Sequence, residues 1–174
     1  TWTLRYDELD NTHTVERWVK SLEAALLVGH PATALLGLGP EHLFDRGIPY
    51  DTSCQRMYTA FARREPLTDA AVETFDAQVD QWLERLTKPV HIERVELDRQ
   101  VVHMLVAASR DALTDAIAQD LIARTKRLGK LDRGNTDYLV VWPLMAALRR
   151  TSWRPSFASP YLPLQLLQHL PEAP

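Results

Sequence analysis

Apolar residues recur every three or four positions along most of this chain, which is the spacing of residues on one face of an α-helix. The pattern is most regular in residues 69–87, and Pro89 is expected to end that helix. Its apolar stripe consists of Val72, Phe75, Val79, Trp82, Leu83 and Leu86. The same spacing predicts two earlier helices, in residues 12–28 and 52–65.

Three further helices are predicted in the second half of the chain. Residues 98–109 form an apolar helix, and residues 111–128 form another that Gly129 is expected to end. Residues 138–150 are apolar on every side at their start, which indicates a buried helix that Pro143 either kinks or divides. The chain is therefore predicted to be a mainly α, single-domain helical bundle over residues 1–174 with five or six main helices.

Two segments also fit a short two-stranded β element. Residues 2–6 alternate apolar and polar side chains, and residues 90–97 suit a strand as well as they suit a helix. We therefore consider a strand pair between these segments as an addition to the helices.

The C-terminal tail, residues 155–174, is rich in proline and leucine. A tail of this kind either packs back across its own domain or lies in a groove of another protein. Packing back is the prediction, because a domain of this length has apolar core to cover.

Composition limits the class of protein. The chain has 174 residues, of which 45% are hydrophobic and 25% charged, values that are ordinary for a globular domain. No apolar run approaches the roughly 20 residues that cross a bilayer, so no membrane association is expected. A single cysteine excludes an internal disulfide framework and a multi-cysteine zinc site, and it favours a cytoplasmic location.

Cys54 is the only cysteine and the best candidate nucleophile in the sequence. It falls near the start of a predicted helix, where the helix dipole stabilises a thiolate. Catalysis would also need a base within hydrogen-bond reach, and no sequence pattern pairs a histidine with Cys54. The preferred interpretation is a small apolar filler in the core.

No pattern in the sequence predicts a metal, a cofactor or an active site. The six histidines do not form HExxH, HxH or ExxH, and the glycines in residues 35–42 lack the context of a phosphate-binding loop. His103 lies within an apolar run and is predicted to be a core imidazole bonded to a neighbour. We therefore expect a non-enzymatic protein.

The predicted helix at residues 69–87 carries an acidic face. Five carboxylates fall within an arc of about 80° beside the apolar stripe. These residues are Asp69, Glu73, Asp76, Asp80 and Glu84. Like charges at this spacing cost a little helix stability, so the acidic face is a candidate docking edge for a basic partner, although an ordinary solvated face is the simpler alternative.

Residues 124–154 form a basic segment, with eight basic residues against two acidic ones. Arginine forks beside an aromatic ring suit phosphates and unstacked bases, which makes nucleic acid or an acidic partner the candidate ligand. The candidate residues are Arg124, Lys126, Arg127, Lys130, Arg133, Arg149, Arg150, Trp153 and Arg154. Basic residues near a helix C-terminus also complement the helix dipole, so the segment has a structural explanation as well. A further alternative is that the segment pairs with the acidic face of the same molecule or of a second copy in a dimer.

Three hypotheses about function follow. The first is a non-enzymatic interaction module with a protein partner or a second copy of itself: an adaptor, a chaperone, an immunity-type inhibitor or a small subunit of a bacterial assembly. The second is a small helical nucleic-acid-binding subunit that uses the basic segment. The third is a cryptic cysteine enzyme that uses Cys54.

Overall fold

Five helices build the part of the protein that the computed structural model describes, which is residues 49–132 and 136–165. They are α1 (Pro49–Arg63), α2 (Asp69–Leu83), α3 (Pro89–Ser109), α4 (Asp115–Asp132) and α5 (Tyr138–Arg150). Within these residues there is no strand. The prediction of a helical fold is confirmed. The helix predicted at residues 12–28 and the strand predicted at residues 2–6 lie outside the described residues.

The third helix is the centre of the arrangement, because it packs against each of the other four. Its C-terminal half is buried on nearly all sides, as the apolar run in the sequence predicts. In addition, α1 packs against α2, and α4 packs against α5. One cluster of buried side chains draws on all five helices, with Phe75, Leu97, Leu121 and Leu144 among its fully buried members.

Residues 90–97 are helical, which corrects the prediction of a strand there. Pro89 occupies the first turn of α3, where its missing N–H costs nothing, because the first N–H groups of a helix have no partner within it. The backbone N–H groups of His91 and Ile92 both donate to the carbonyl of Lys88, which starts the helical ladder. Pro89 therefore begins the next helix, while α2 has already ended at Leu83.

Gly129 does not end α4, which continues to Asp132. A Cβ atom at position 129 would lie 3.0 Å from Oγ1 of Thr136, at the start of the segment that leads into α5. The glycine is therefore explained by the close approach of Thr136, a contact that no local sequence signal reports.

The segment after α5 packs back onto the helices, as predicted for the tail as far as Gln165. We call residues 151–165 the C-terminal strap. Trp153 and Leu162 join the core cluster, and Phe157, Tyr161 and Leu164 pack against it. The fifth helix runs through Pro143, so no new helix begins at that residue.

No helix in the described ranges combines the length and the apolar character that crossing a membrane requires.

Candidate interaction site

The acidic face lies along the exposed side of α2. This helix buries Phe75 and Val79, and that orientation directs the acidic residues outward. Its N-terminus is capped by Thr68, whose Oγ1 accepts a hydrogen bond from the backbone N–H of Ala71 at 3.3 Å. The side chain of Asp69 is 81% exposed and that of Asp80 is 65% exposed. The carboxylates are thus available to a partner even where they also form ion pairs.

Bases from α3 and from the residue after it lie along one edge of the acidic face. Arg110 Nη2 donates to Asp69 Oδ1 at 2.6 Å. Arg99 pairs with Asp80, and its Nε lies 3.8 Å from Asp76 Oδ1. These contacts lie between α2 and α3, whose packing is held by buried apolar side chains. The bases that accompany the acidic face therefore come from α3 and its C-terminal end.

Arg99 is shared between three carboxylates, since its Nη1 also lies 3.8 Å from Glu96 Oε1. One guanidinium cannot neutralise the carboxylates of Asp76, Asp80 and Glu96 together. The exposed residues Glu73 and Glu84 extend the same negative surface in both directions along α2. The acidic face therefore keeps a net negative charge at neutral pH.

His103 lies at the edge of this cluster and not in the core. Its side chain is 46% exposed, and its Nε2 lies 2.9 Å from Asp76 Oδ1. The prediction of a buried imidazole is wrong, and the prediction that it bonds to a neighbour is confirmed. The neighbouring residues Val102 and Met104 are buried, so His103 occupies the one polar position of an otherwise apolar stretch.

The N-terminal part of the basic segment lies on α4 and has one acidic partner on α3. Arg124 Nη1 donates to Glu93 Oε2 at 3.2 Å, and Arg127 Nε lies 3.9 Å from the same oxygen. Lys126 Nζ lies 5.8 Å from the ring centroid of Tyr161 in the strap, a cation–π distance. Lys126, Arg127 and Lys130 remain exposed, and we call these three residues the basic tip.

The C-terminal part of the basic segment is occupied by contacts within the chain. Arg150 donates to the carbonyl of Phe61 and, at 2.9 Å, to that of Ala62. Arg154 Nη1 donates to the carbonyls of Thr151 and Trp153. Arg149 is half-buried, and Arg133 lies outside the described residues.

Trp153 is 9% exposed, and its indole N–H donates to Asp115 Oδ1 at 2.8 Å. Stacking on a nucleic-acid base requires an exposed ring face. The structure therefore does not fit the predicted role of Trp153 in base stacking and makes it a packing anchor of the strap.

Two carboxylates hold the beginning of the strap: Asp111, which follows α3, and Asp115, the first residue of α4. Asp111 accepts hydrogen bonds from the backbone N–H and the hydroxyl of Ser152, both at 2.7 Å. Asp115 accepts from the hydroxyl and the backbone N–H of Ser156 and from the indole of Trp153. Asp111 has a φ of 51°, in the left-handed region that Asp adopts more readily than most residues, and this turns the chain out of α3.

These hydrogen bonds lower the pKa of both carboxyl groups. The backbone N–H of Ser152 is the largest cause at Asp111, followed by the Ser152 hydroxyl. The Ser156 hydroxyl is the largest cause at Asp115, where burial opposes it. Each aspartate therefore stabilises the fold in its ionised form, and this contribution is complete above the ordinary pKa of 3.8 and is lost as the pH falls toward the lowered value.

We expect Asp115→Ala to reduce the free energy of unfolding at neutral pH, because Trp153 and Ser156 lose their shared acceptor. The difference between wild type and variant should be constant from neutral pH down to about pH 5 and should shrink below 3.8. Urea denaturation across this pH range measures it. Asp120→Ala on the exposed side of α4 is the matched control, and an equal loss in both variants would contradict the assigned role of Asp115.

Cys54 is 9% exposed and belongs to the hydrophobic cluster, with Met57 and Phe61 also buried on the same helix. This position agrees with the predicted role as a small apolar filler. Within the described ranges no group of three or more histidine, cysteine or acidic side chains is arranged to hold a metal ion.

Comparison with known protein families, characterised proteins and solved structures finds no significant match to this chain.

Sequence reasoning missed the residues that organise these surfaces. Asp111 and Asp115 are four apart, as are their partners Ser152 and Ser156, and this equal spacing is the only signal that connects them. Arg99 was also missed, because it follows α2 by many residues and no local pattern links it to Asp76 or Asp80.

Proposed function

We propose that this chain is a non-enzymatic, cytoplasmic protein-interaction module built as a single-domain helical bundle. Its docking edge is the acidic face, and its partner is a protein with a basic surface. Within this class we place an adaptor, a chaperone, an immunity-type inhibitor or a small subunit of a bacterial assembly.

The observation that carries the proposal is the exposure of carboxylates that already have partners. Asp69 and Asp80 pair with Arg110 and Arg99, yet most of each side chain remains in contact with solvent. Exposed ion pairs of this kind contribute about 0–1 kcal/mol, so an incoming basic group exchanges with them at little cost. The existing ion pairs compensate part of the negative charge of α2, and the remaining negative charge is available to a partner.

Two other hypotheses have less support. Most candidate residues of the nucleic-acid hypothesis make contacts within the chain, among them Arg124, Arg127, Arg150, Trp153 and Arg154. The basic tip remains for phosphate binding. A cysteine enzyme would need an accessible thiol, and the burial of Cys54 favours a packing role.

The test is capture of partners from an extract of the native source with the immobilised full chain. Glu73→Lys combined with Glu84→Lys reverses two exposed charges of the acidic face. We expect recovery of a basic partner to fall by about tenfold or more, equivalent to about 1.4 kcal/mol per tenfold, and to fall likewise in about 0.5 M salt.

The matched control is Asp120→Lys combined with Asp132→Lys, which changes the net charge equally at exposed positions on α4, a helix that does not pack against α2. Equal recovery on wild type, variant and control would contradict the proposal. Labelled single-stranded RNA serves as the second probe: tight binding that depends steeply on salt and is lost in Lys126→Glu with Lys130→Glu would favour the nucleic-acid alternative.

A further inference from the structure

The exposed end of α4 combines positive charge with an apolar side chain. The three residues of the basic tip are exposed on the outer side of α4. Leu131 follows the basic tip and is 48% exposed, the only large hydrophobic residue in the described ranges that is exposed to this degree. At 100° per residue, Lys126, Lys130 and Leu131 fall within an arc of about 140° on one side of the helix. This surface suits a partner that is acidic and has an apolar or small-residue contact.

The outer side of α2 has the complementary chemistry. Glu73, Ala77, Asp80 and Glu84 fall within an arc of about 60°, and all four are exposed. Ala77 leaves a shallow position between the carboxylates where an apolar side chain can be accommodated. The same chain thus carries both an acidic surface and the basic surface that would complement it.

These two surfaces do not neutralise each other within one chain. Both α2 and α4 pack against α3, and they are not packed against one another. The ion pairs of the acidic face go to Arg99, His103 and Arg110, whereas those of α4 go to Glu93. Each surface therefore remains available for a second molecule.

We propose that the acidic side of α2 binds the basic tip and Leu131 of α4 on a second copy of this chain. This rests on the proposed function and names the partner. Asp80 and Glu84 are separated by about 6 Å along α2, and Lys126 and Lys130 are separated by about 6 Å along α4. Two carboxylates and two ammonium groups therefore meet in register when the helices lie side by side.

The contact joins two different surfaces. Two copies form a two-fold dimer when both acidic sides pair with both basic tips at once, and a ring or an open chain when each copy pairs with a different neighbour. In each case association weakens with salt because the charges lie at the surface.

The test uses two full-length variants of opposite design. The first carries Glu73→Lys and Glu84→Lys, and the second carries Lys126→Glu and Lys130→Glu. In sedimentation velocity at about 0.05 M salt, the mean mass of wild type should rise with concentration, and about 0.5 M salt should reverse this. Each variant alone should bind itself at least about tenfold more weakly than wild type binds itself. An equimolar mixture of the two should associate again, because each supplies the surface that the other has lost.

Circular dichroism and thermal unfolding establish that both variants are folded. Wild type that stays monomeric in low salt would overturn the proposal, as would variants that associate like wild type or a mixture that does not regain association. These results are separable from the proposed function. A monomeric wild type that still captures a basic partner through its acidic face would overturn the second-copy proposal alone.

Discussion

Replacement of Phe75 by alanine should lower the free energy of unfolding by about 3–5 kcal/mol, the range for truncating a buried phenylalanine. Phe75 is fully buried and, with Val79, is one of the two buried residues of α2. The cavity would lie where α2 meets α1 and α3, and Val79 would remain as the one fully buried side chain of α2, beside the partly buried Val72, Trp82 and Leu83. Urea denaturation followed by far-UV circular dichroism measures the effect.

Gln81→Ala is the matched control, because it shortens an exposed side chain on the same helix. Its effect should stay within about 0.5 kcal/mol. The described packing of α2 would be contradicted if the two substitutions cost the same. Loss of the acidic face should accompany loss of α2 packing, so Phe75→Ala should also weaken the proposed binding to a basic partner at temperatures where the rest of the chain is folded.

The helical character of the fold could be predicted because each helix has an apolar face of its own. The stripe of α2 identifies Phe75 and Val79, and both are buried. The apolar run from Val101 to Val106 likewise predicts the buried half of α3. Periodicity reports which residues turn inward, since burial of apolar area is what holds a helix against its neighbours.

Helix boundaries could be predicted only in part: α5 has the predicted bounds, whereas the start of α3 and the end of α4 differ from the prediction. Proline and glycine are both residue types that commonly end helices, yet Pro89 begins α3 and Gly129 lies within α4. A proline is compatible with the first turn of a helix as well as with the residue after one. A glycine is favoured at position 129 because the side chain of Thr136 approaches so closely that a Cβ atom would lie 3.0 Å from its Oγ1.

The composition of the acidic face could be predicted, and its partners could not. Spacing alone puts Asp69, Asp76 and Asp80 on one side of α2. Their bases, Arg99 and Arg110, are 19 and 41 residues away along the chain and meet them because α2 packs on α3. Long-range pairing of this kind depends on how helices pack, which a single sequence does not report.

For the basic segment, the sequence predicts one shared role for residues that have different roles in the structure. Lys126 and Lys130 are exposed, whereas Arg150 reaches across to the end of α1. Charge counted along the chain does not distinguish an arginine that binds a backbone carbonyl from one that faces solvent. The basic surface is therefore much smaller than the sequence predicts.

Arg150→Ala tests this structural role and should lower the free energy of unfolding by about 2 kcal/mol, within the range for leaving a buried acceptor unsatisfied. Arg150 donates to the carbonyls of Phe61 and Ala62 in the last turn of α1. The Phe61 carbonyl also accepts from the backbone N–H of Arg64 at 3.1 Å, so Ala62 is the acceptor that depends on Arg150. Its guanidinium also lies 5.0 Å from the ring centroid of Phe61. Alanine removes the donors and the contact with the ring.

Burial, and after it the nearby charge of Arg64, lower the pKa of Arg150 to about 10. The group therefore stays protonated at neutral pH, and the two carbonyls offset part of the cost of bringing its charge into the fold. Lys130→Ala, which removes an exposed charge from α4, is the control and should change stability by no more than about 0.5 kcal/mol. Equal stability of the two variants in urea denaturation would mean that Arg150 does not cap α1, and it would then return to the residues available for binding a phosphate.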